Sequence, residues 1–261
     1  MNAFTIDTED WFQVSYGSSV ISRAEWPMLT PRISDMVESV LDLLSKHNVL
    51  ATFFVVGWVG EQYPALIRKI AAKGHEIASH GYWHTEVFRQ TPSEFALDIR
   101  LSKDTLEQAI GAPVKGYRAP GYSIGPEQEW ALEIVGDAGH VYDSSLLHAS
   151  SAYSEVRPGL VEIAPNSFKI GSFLLPTNGG FFFRIVPYSL YSRFLQHLNA
   201  NKKPLIFYTH TWEIFVDYPH IPMTWNKAIV QYANLKNVYS KLDAMLGNFH
   251  FTSIERLYPS L

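Results

Sequence analysis

The most constraining feature of this 261-residue chain is a repeated alternation of short, apolar, β-rich runs with longer stretches of helical periodicity. Ala3 to Ile6 reads as a strand. Pro31 to Lys46 reads as a helix, with Ile33, Met36, Val37, Val40, Leu41 and Leu44 at helical spacing, and Ala51 to Val56 as the next strand. The order continues with a helix at Pro64 to Lys73 closed by Gly74, then a strand at His75 to Ala78. A helix from about Ser93 to Ile110 is entered through Thr91-Pro92-Ser93-Glu94 and stopped at Gly111. Gly116 to Arg118 and His140 to Asp143 read as strands on either side of a helix from about Pro126 to Ala138. Strands alternating with helices over this length imply a parallel sheet, closed or nearly closed.

From Val156 to Phe183 the pattern changes to strand-like pieces broken at Pro158-Gly159, Pro165-Asn166, Gly171 and Asn178-Gly179-Gly180, which predicts a β-rich insertion. The alternation then returns with a helix at Tyr188 to Asn201, a buried strand at Leu205 to Tyr208, a long helix at Trp225 to Leu246 and a last strand at Phe249 to Ser253. There is no internal repeat, low-complexity tract or linker-like boundary, so residues 1–261 are expected to form one domain.

Composition narrows the function classes. The chain is 47% hydrophobic and 18% charged, as a packed globular protein requires. A net charge of -4 without a run of lysines or arginines offers no electrostatic footprint for nucleic acid or an anionic membrane. No segment approaches the roughly 20 apolar residues needed to span a bilayer. The N-terminal residues do not read as a signal peptide, so a cytoplasmic protein is expected. With no cysteine, thiolate nucleophiles and thiolate metal sites are excluded, and any metal must be held by histidine and carboxylate. The sequence leaves the oligomeric state open.

The chemistry-bearing residues fall at the ends of the expected strands, where the catalytic groups of a barrel collect. Asp7 ends the first strand, in Asp7-Thr8-Glu9-Asp10, and Asp7 and Glu9 project to the same side of an extended segment. Ser79-His80-Gly81-Tyr82-Trp83-His84 follows the third strand, and on a helical turn it would put both imidazoles on one face at a spacing that can share a metal. A catalytic divalent ion wants three protein ligands and one open position, which His80, His84 and one carboxylate of the acidic stretch would satisfy, leaving another carboxylate as a base. Arg118, in Gly116-Tyr117-Arg118-Ala119-Pro120-Gly121-Tyr122, is placed to pair with a catalytic carboxylate, and the turn at Pro120-Gly121 could turn a backbone N–H to an oxyanion. His210, at the end of the strand from Leu205, is a candidate to protonate a leaving amine, with Asp143 a candidate to fix its tautomer. Tyr122, Trp83, Trp212 and the stretch Gly179 to Phe183 add aromatics that could stack on a sugar.

Taken in order, Thr5-Ile6-Asp7-Thr8-Glu9-Asp10, His80 with His84, Arg118-Ala119-Pro120, Asp143-Ser144-Ser145 and Leu205-Ile206-Phe207-Tyr208-Thr209-His210 resemble the polysaccharide deacetylase family of NodB-type carbohydrate esterases. The resemblance extends to the branch holding peptidoglycan deacetylases and cofactor-independent allantoinases, and to exopolysaccharide-locus deacetylases with a C-terminal extension. Gly179-Gly180-Phe181-Phe182-Phe183-Arg184, Tyr208-Thr209-His210-Thr211-Trp212-Glu213 and Asn234-Leu235 are similar to that extension, which would run from about 156 to 261. The resemblance implies a distorted (β/α) barrel of seven or eight strands and a site for one divalent metal ion, zinc first. It implies Asp7 as general base, His80 and His84 as ligands, and Arg118 as orienter of the base. Gly121 would be an oxyanion donor, and His210 the general acid supported by Asp143. The carboxylate ligand is Glu9 or Asp10. The implied activity is removal of acetyl groups, N-acetyl first, from a bacterial-type polysaccharide or its precursor. An allantoinase-like hydrolase of a small cyclic amide, and a non-catalytic glycan-binding module, are the other readings.

Overall fold

The computed structural model describes residues 1–15, 20–147, 153–165, 167–170 and 173–261, with the side chains of 167–170 and 173–176 left undescribed. Its first half alternates as the pattern requires: β1 Asn2–Thr8, α1 Ile33–Lys46, β2 Thr52–Val55, α2 Gly57–Gln62, α3 Pro64–Ala72, β3 Glu76–Ser79, α4 Pro92–Ile110, β4 Gly116–Tyr117, α5 Trp130–Asp137 and β5 Tyr142–Asp143. The strands β6 Ser154–Arg157, β7 Leu160–Glu162, β8 Ser167–Ile170 and β9 Phe173–Pro176 follow. The chain ends through α6 Gly180–Ile185, α7 Tyr188–Ala200, β10 Ile206–His210, α8 Thr211–Ile214, α9 Trp225–Tyr232, α10 Val238–Asn248, β11 Phe251–Thr252 and α11 Ile254–Leu257.

The main sheet runs in the order β10-β1-β2-β3-β4-β5-β7-β6, with β11 also pairing to β1. From β10 to β7 every pairing is parallel, and only the edge strand β6 is antiparallel. The sheet curls into a half-barrel whose order has two ends, β10 and β6. The β-rich insertion divides into two hairpins. β6 and β7 extend the main sheet, whereas β8 and β9 pair only with each other. The turns expected at Asn166 and Gly171 lie outside the described residues.

Residue alternation on β1 explains how the sheet carries both a core and a site. Phe4 and Ile6 face the outer helices, in one apolar cluster with Val37, Val40 and Leu44 of α1 and Leu195 of α7. Ala3 belongs instead to the inner cluster with Phe54, Ala78, Tyr142 and Ile206. The inner row then turns polar toward the strand's C-terminal end, where Thr5 and Asp7 both meet Arg118. A period of two makes this division automatic once one face is buried.

Two expected elements differ. The stretch Gly179 to Phe183 is not strand, because α6 begins at Gly180. Gly179 bridges to Tyr208 of β10, and a Cβ placed on Gly179 would lie 1.8 Å from the Tyr208 carbonyl oxygen. Gly180 has φ +49, and its Cβ would meet Tyr208 Oη at 2.3 Å. Only two glycines let the chain touch β10 and turn at once into a helix, whose Phe183 packs against Tyr191 and Phe207. The long helix expected over Trp225 to Leu246 is divided, with Asn234 in the left-handed region at φ +60 between α9 and α10. The Asn234 side chain donates to the Arg184 carbonyl at the end of α6, which fixes the break against a neighbouring element.

Gly179→Ala should lower stability by roughly 3 kcal/mol or more, since the clash is with backbone that cannot move aside. A urea midpoint unchanged from that of the parent protein would contradict this packing.

Candidate active site

The parallel order sets the C-terminal ends of β10, β1, β2, β3 and β4 side by side, and Asp7 and His210 are direct register partners. Asp7, Glu9, His80, His84, Gly121, Tyr122 and His210 all line one cavity of about 460 Å³. These residues, far apart in the chain, thus converge because each follows or ends a strand at the same edge of the sheet.

Arg118 organises one side. Its side chain is fully buried and donates from Nη1 to Asp7 Oδ1 and to Thr5 Oγ1, both at 2.8 Å. Nη2 donates to Ser144 Oγ at 3.1 Å and Nε to the Ser144 carbonyl at 3.3 Å, while the Phe54 ring lies 3.9 Å from the guanidinium carbon. The second Asp7 oxygen, Oδ2, remains on the cavity side, 4.0 Å from His80 Nε2 and 3.9 Å from His210 Nε2.

The histidine segment is not helical. Gly81 at φ +71 and His84 at φ +51 turn it as an irregular loop, which Asp98 of α4 clamps by accepting the Tyr82 and Trp83 backbone N–H groups at 2.8 and 3.0 Å. The loop still brings the two imidazole rings to 5.0 Å. His80 Nδ1 stands 2.8 Å from the Arg118 carbonyl, which can only accept, so Nδ1 carries the hydrogen and Nε2 presents a lone pair. Burial pushes His80 down to about 4, with Asp7 opposing, so this ring is neutral.

Glu9 follows β1 on the same side as Asp7. Its Oε1 accepts the Trp212 indole N–H at 2.8 Å, and its Oε2 lies 2.8 Å from His84 Nε2 without the alignment of a hydrogen bond. Burial would raise this carboxyl, but His84 and the other imidazoles hold it at about 2; Glu9 in turn raises His84 against the effect of burial.

These donors fit a divalent cation in type. The lone pair of His80 Nε2 lies 4.0 Å from Asp7 Oδ2, and Glu9 Oε2 has no aligned hydrogen bond among the described residues. Two imidazoles and a carboxylate are the donor set such an ion prefers. Among the described residues no group of three His, Asp or Glu side chains is spaced to hold an ion as the side chains now stand.

Two of the expected assignments are corrected. Asp10 does not face the cavity. Its carboxylate accepts backbone N–H groups of Trp11, Arg32 and Ile33, and so caps the start of α1. An acceptor at that position satisfies amides that a helix start leaves unpaired, which takes Asp10 away from any ion. Asp143 does not reach His210. It bonds Ser145 Oγ at 2.7 Å and adjoins Glu162 of β7, both carboxyls being pushed up by burial. Ser145 Oγ in turn accepts the Ala119 N–H at 2.8 Å, so Asp143 braces the Arg118 loop from behind.

The partner of His210 is Glu213. Glu213 Oε2 lies 3.1 Å from His210 Nδ1 and accepts the His210 backbone N–H at 3.0 Å, while Oε1 lies 2.8 Å from Arg184 Nε. Burial would raise Glu213, but Arg184 and His210 hold it at about 2. Burial also opposes charge on His210, yet Glu213, then Glu9 and Asp7, outweigh it and lift the imidazole to about 9. Arg184 is fixed by donating to the carbonyls of Gln231 and Ala233. One signal for Glu213 was present in the sequence: His210-Thr211-Trp212-Glu213 has the spacing of a capping box, with histidine as the cap.

Gly121, at φ +62, and Tyr122 line the cavity with Trp212, and the buried Tyr122 hydroxyl has no hydrogen-bond partner among the described residues. Phe181 of α6 and Tyr208 complete the aromatic lining.

Residues 27–140 match the sequence model of the polysaccharide deacetylase family, and residues 141–259 match a domain of unknown function (DUF3473). The first matched segment, residues 27–140, is therefore a polysaccharide deacetylase domain. It is 32% identical over 100 residues to a peptidoglycan-N-acetylglucosamine deacetylase of Bacillus cereus, covering 38% of this chain and 36% of that protein. It is 27% identical over 124 residues to a chitooligosaccharide deacetylase of Bradyrhizobium, covering 48% and 54%. The chain therefore spans about a third to a half of the length of these relatives. In fold it is similar to the crystal structure of a putative polysaccharide deacetylase from Mycobacterium smegmatis, with a TM-score of 0.66 at 19% identity over 99% of this chain and 88% of the other. Among the described residues no helix is long and apolar enough to cross a membrane.

Because Asp10 serves α1 rather than the cavity, Asp10→Ala should cost about 1–2 kcal/mol of stability, the usual worth of a lost helix cap. Urea denaturation measures it, and loss of the cavity's chemistry without loss of stability would reverse the assignment.

Proposed function

We propose that this chain is a metal-dependent deacetylase that hydrolyses an acetamido group on a sugar of a bacterial-type glycan or its precursor. The observation that carries the reading is the position of Asp7 Oδ2 between His80 Nε2 and His210 Nε2 in one cavity. A carboxylate held by Arg118 and an imidazole held by Glu213 then face the same small volume, as a base and an acid must when one takes a proton and the other gives one. His80, His84 and Glu9 would hold the ion, zinc first, which when bound polarises the acetyl carbonyl and activates water.

Asp7 accepts the proton of the attacking water, and its pairing with Arg118 keeps the carboxylate oriented toward the cavity. The new C–O bond leaves a tetrahedral oxyanion, for which the backbone at Gly121 supplies a donor beside the Tyr122 hydroxyl. His210 Nε2 then gives its proton to the nitrogen as the C–N bond breaks, releasing acetate and the free amine. Glu213 keeps the His210 ring turned so that Nε2 faces this nitrogen. Cavity walls of Phe181, Tyr122 and Trp212 suit the apolar faces of a sugar ring. Residues 1–261 act as one domain in this reading, because the ligand histidines lie in the first matched segment and the acid lies in the second.

Asp7→Asn and His210→Ala should each reduce acetate release from acetylated amino-sugar oligomers by roughly 10²- to 10⁴-fold, the usual worth of general acid–base catalysis. Unchanged rates in both variants would end the assignment. Glu9→Gln should lose the bound metal, measured by elemental analysis after dialysis, while Asp10→Ala keeps it. Glu213→Gln should lower kcat with KM little changed, and equal activity to the parent protein would remove Glu213 from the mechanism.

A further inference from the structure

Asp143 ends β5 and Glu162 ends β7, and the two are register partners in the parallel pairing of these strands. Side chains of register partners leave the same face of a sheet, and here both are fully buried with their carboxyls within hydrogen-bonding reach of each other. Their other contacts differ. Asp143 accepts at both oxygens, from Ser145 Oγ at 2.7 Å and from the Ser145 N–H at 3.2 Å. Glu162 Oε1 accepts the Leu146 N–H at 2.9 Å, whereas no donor of the described residues reaches the buried Oε2. Glu162 Oε2 is therefore the oxygen with room for a hydrogen of its own.

Two carboxylates in contact out of water do not both stay ionised without a cation between them. The charged groups on the neighbouring elements do not supply one. Arg118, after β4, gives its bonds to Thr5, Asp7 and Ser144 and acts on Glu162 only through space. Arg157 of β6 pairs with Glu133 and Asp137 of α5. Glu155 of β6 is exposed, and the Tyr117 hydroxyl of β4 is kept neutral by burial, with Asp98 and Asp143 adding to the effect. Burial and then Asp143 push Glu162 well above the usual carboxylate range, and burial raises Asp143 against the bonds it accepts from Glu162 and Ser145.

We infer that Glu162 carries a proton on Oε2, donates it in a hydrogen bond to the Asp143 carboxylate, and through that bond is a positioning residue for Asp7. Two routes lead from β7 to the base. Glu162 holds Asp143, Asp143 holds Ser145 Oγ, and that oxygen accepts the N–H of Ala119, next to Arg118. The Ile163 carbonyl accepts the Ser144 hydroxyl, whose oxygen accepts Arg118 Nη2. Arg118 then holds Asp7. Loss of the proton sets two negative charges against each other where β5 meets β7 and slackens this brace. The inference rests on the proposed deacetylation for what Asp7 does, but not for the proton itself.

Glu162→Gln is the direct test, because an amide keeps one acceptor and one donating end and has nothing to ionise. The unfolded chain gives up the Glu162 proton above about pH 4.3 while the folded chain retains it, so the parent protein loses stability as pH rises and the variant is spared that loss. Between pH 5 and pH 8 the folding constant of Glu162→Gln, from urea denaturation, should gain on the parent's by up to about tenfold per pH unit. A ratio that stays flat with pH overturns the proposal. So does a pH-dependent gain in Asp143→Asn that Glu162→Gln lacks, since the proton would then belong to Asp143. A further measurement needs no variant: with glutamate labelled in carbon-13, the infrared spectrum of the parent at pH 7 should contain the carbonyl stretch of a neutral glutamic acid, and its absence overturns the assignment.

The positioning role is read on the full chain loaded with zinc and an acetylated amino-sugar oligomer. Glu162→Ala should lower kcat by roughly 10- to 10²-fold with KM little changed, the usual effect of a small displacement at the reacting groups, and Glu162→Gln should restore it. The Gln variant should also lose less of its kcat than the parent between pH 7 and pH 9. Parent and Gln variant falling together, or an Ala variant with the parent's kcat, denies Glu162 that role. A chain that passes the urea and infrared tests but hydrolyses no glycan would sink the deacetylase reading and leave the proton in place.

Discussion

The buried ion pair between Arg118 and Asp7 is the interaction on which the rest of the site depends. A guanidinium taken wholly out of water is costly unless its donors are met and its charge is paired, and removing one partner of such a pair costs about 3–5 kcal/mol. Here Asp7, Thr5, both acceptors of Ser144 and the face of Phe54 meet that requirement together. Because Arg118 follows β4 and Asp7 lies on β1, with β2 and β3 between them in the sheet, the side chain ties the interior of the half-barrel across its curve. Its backbone carbonyl also fixes the tautomer of His80. One residue therefore sets the direction of the carboxylate and the tautomer of a neighbouring imidazole.

A second ion pair performs the corresponding service for the opposite wall. Arg184, held by carbonyls at the end of α9, pairs with Glu213, and Glu213 holds His210. Both ends of this chain of contacts belong to the segment that matches a domain of unknown function. Both matched segments contribute to the site: His80, His84 and Arg118 come from the first, and His210, Glu213, Trp212 and Phe181 from the second. Asp7 and Glu9 precede both segments, and the Trp212 indole of the second holds the Glu9 carboxylate that follows β1.

Much of this was legible in advance because it rests on local rules. The alternation of strand and helix gave the parallel sheet, and the period of two on β1 sent Asp7 and Glu9 to one side, where both line the cavity. What misled were patterns with more than one physical use. Asp10 is chemically as good a ligand as Glu9, but its odd offset from Asp7 sends it toward the start of α1, where unpaired amides claim it. Asp143 ends a strand as a catalytic group would, yet it is drawn to Ser145 and Glu162. The four-residue spacing of His80 and His84 suggested a helical turn, whereas two left-handed residues and the Asp98 clamp shape a loop that brings the rings equally close.

The sequence by itself determined the order of elements, the strand ends that carry the reactive side chains and the donor types available for an ion, because propensity, periodicity and side-chain chemistry are properties of the chain's own residues. Tertiary structure decided which carboxylate serves which histidine. That choice depends on distances between segments far apart in the chain, on which amides lack partners, and on where burial leaves a charge in need of its opposite. Glu213 reaches His210 through a turn of helix, and Arg184, brought in by Gly179 and Gly180 closing on β10, joins His210 in supplying the buried positive charge that keeps Glu213 ionised.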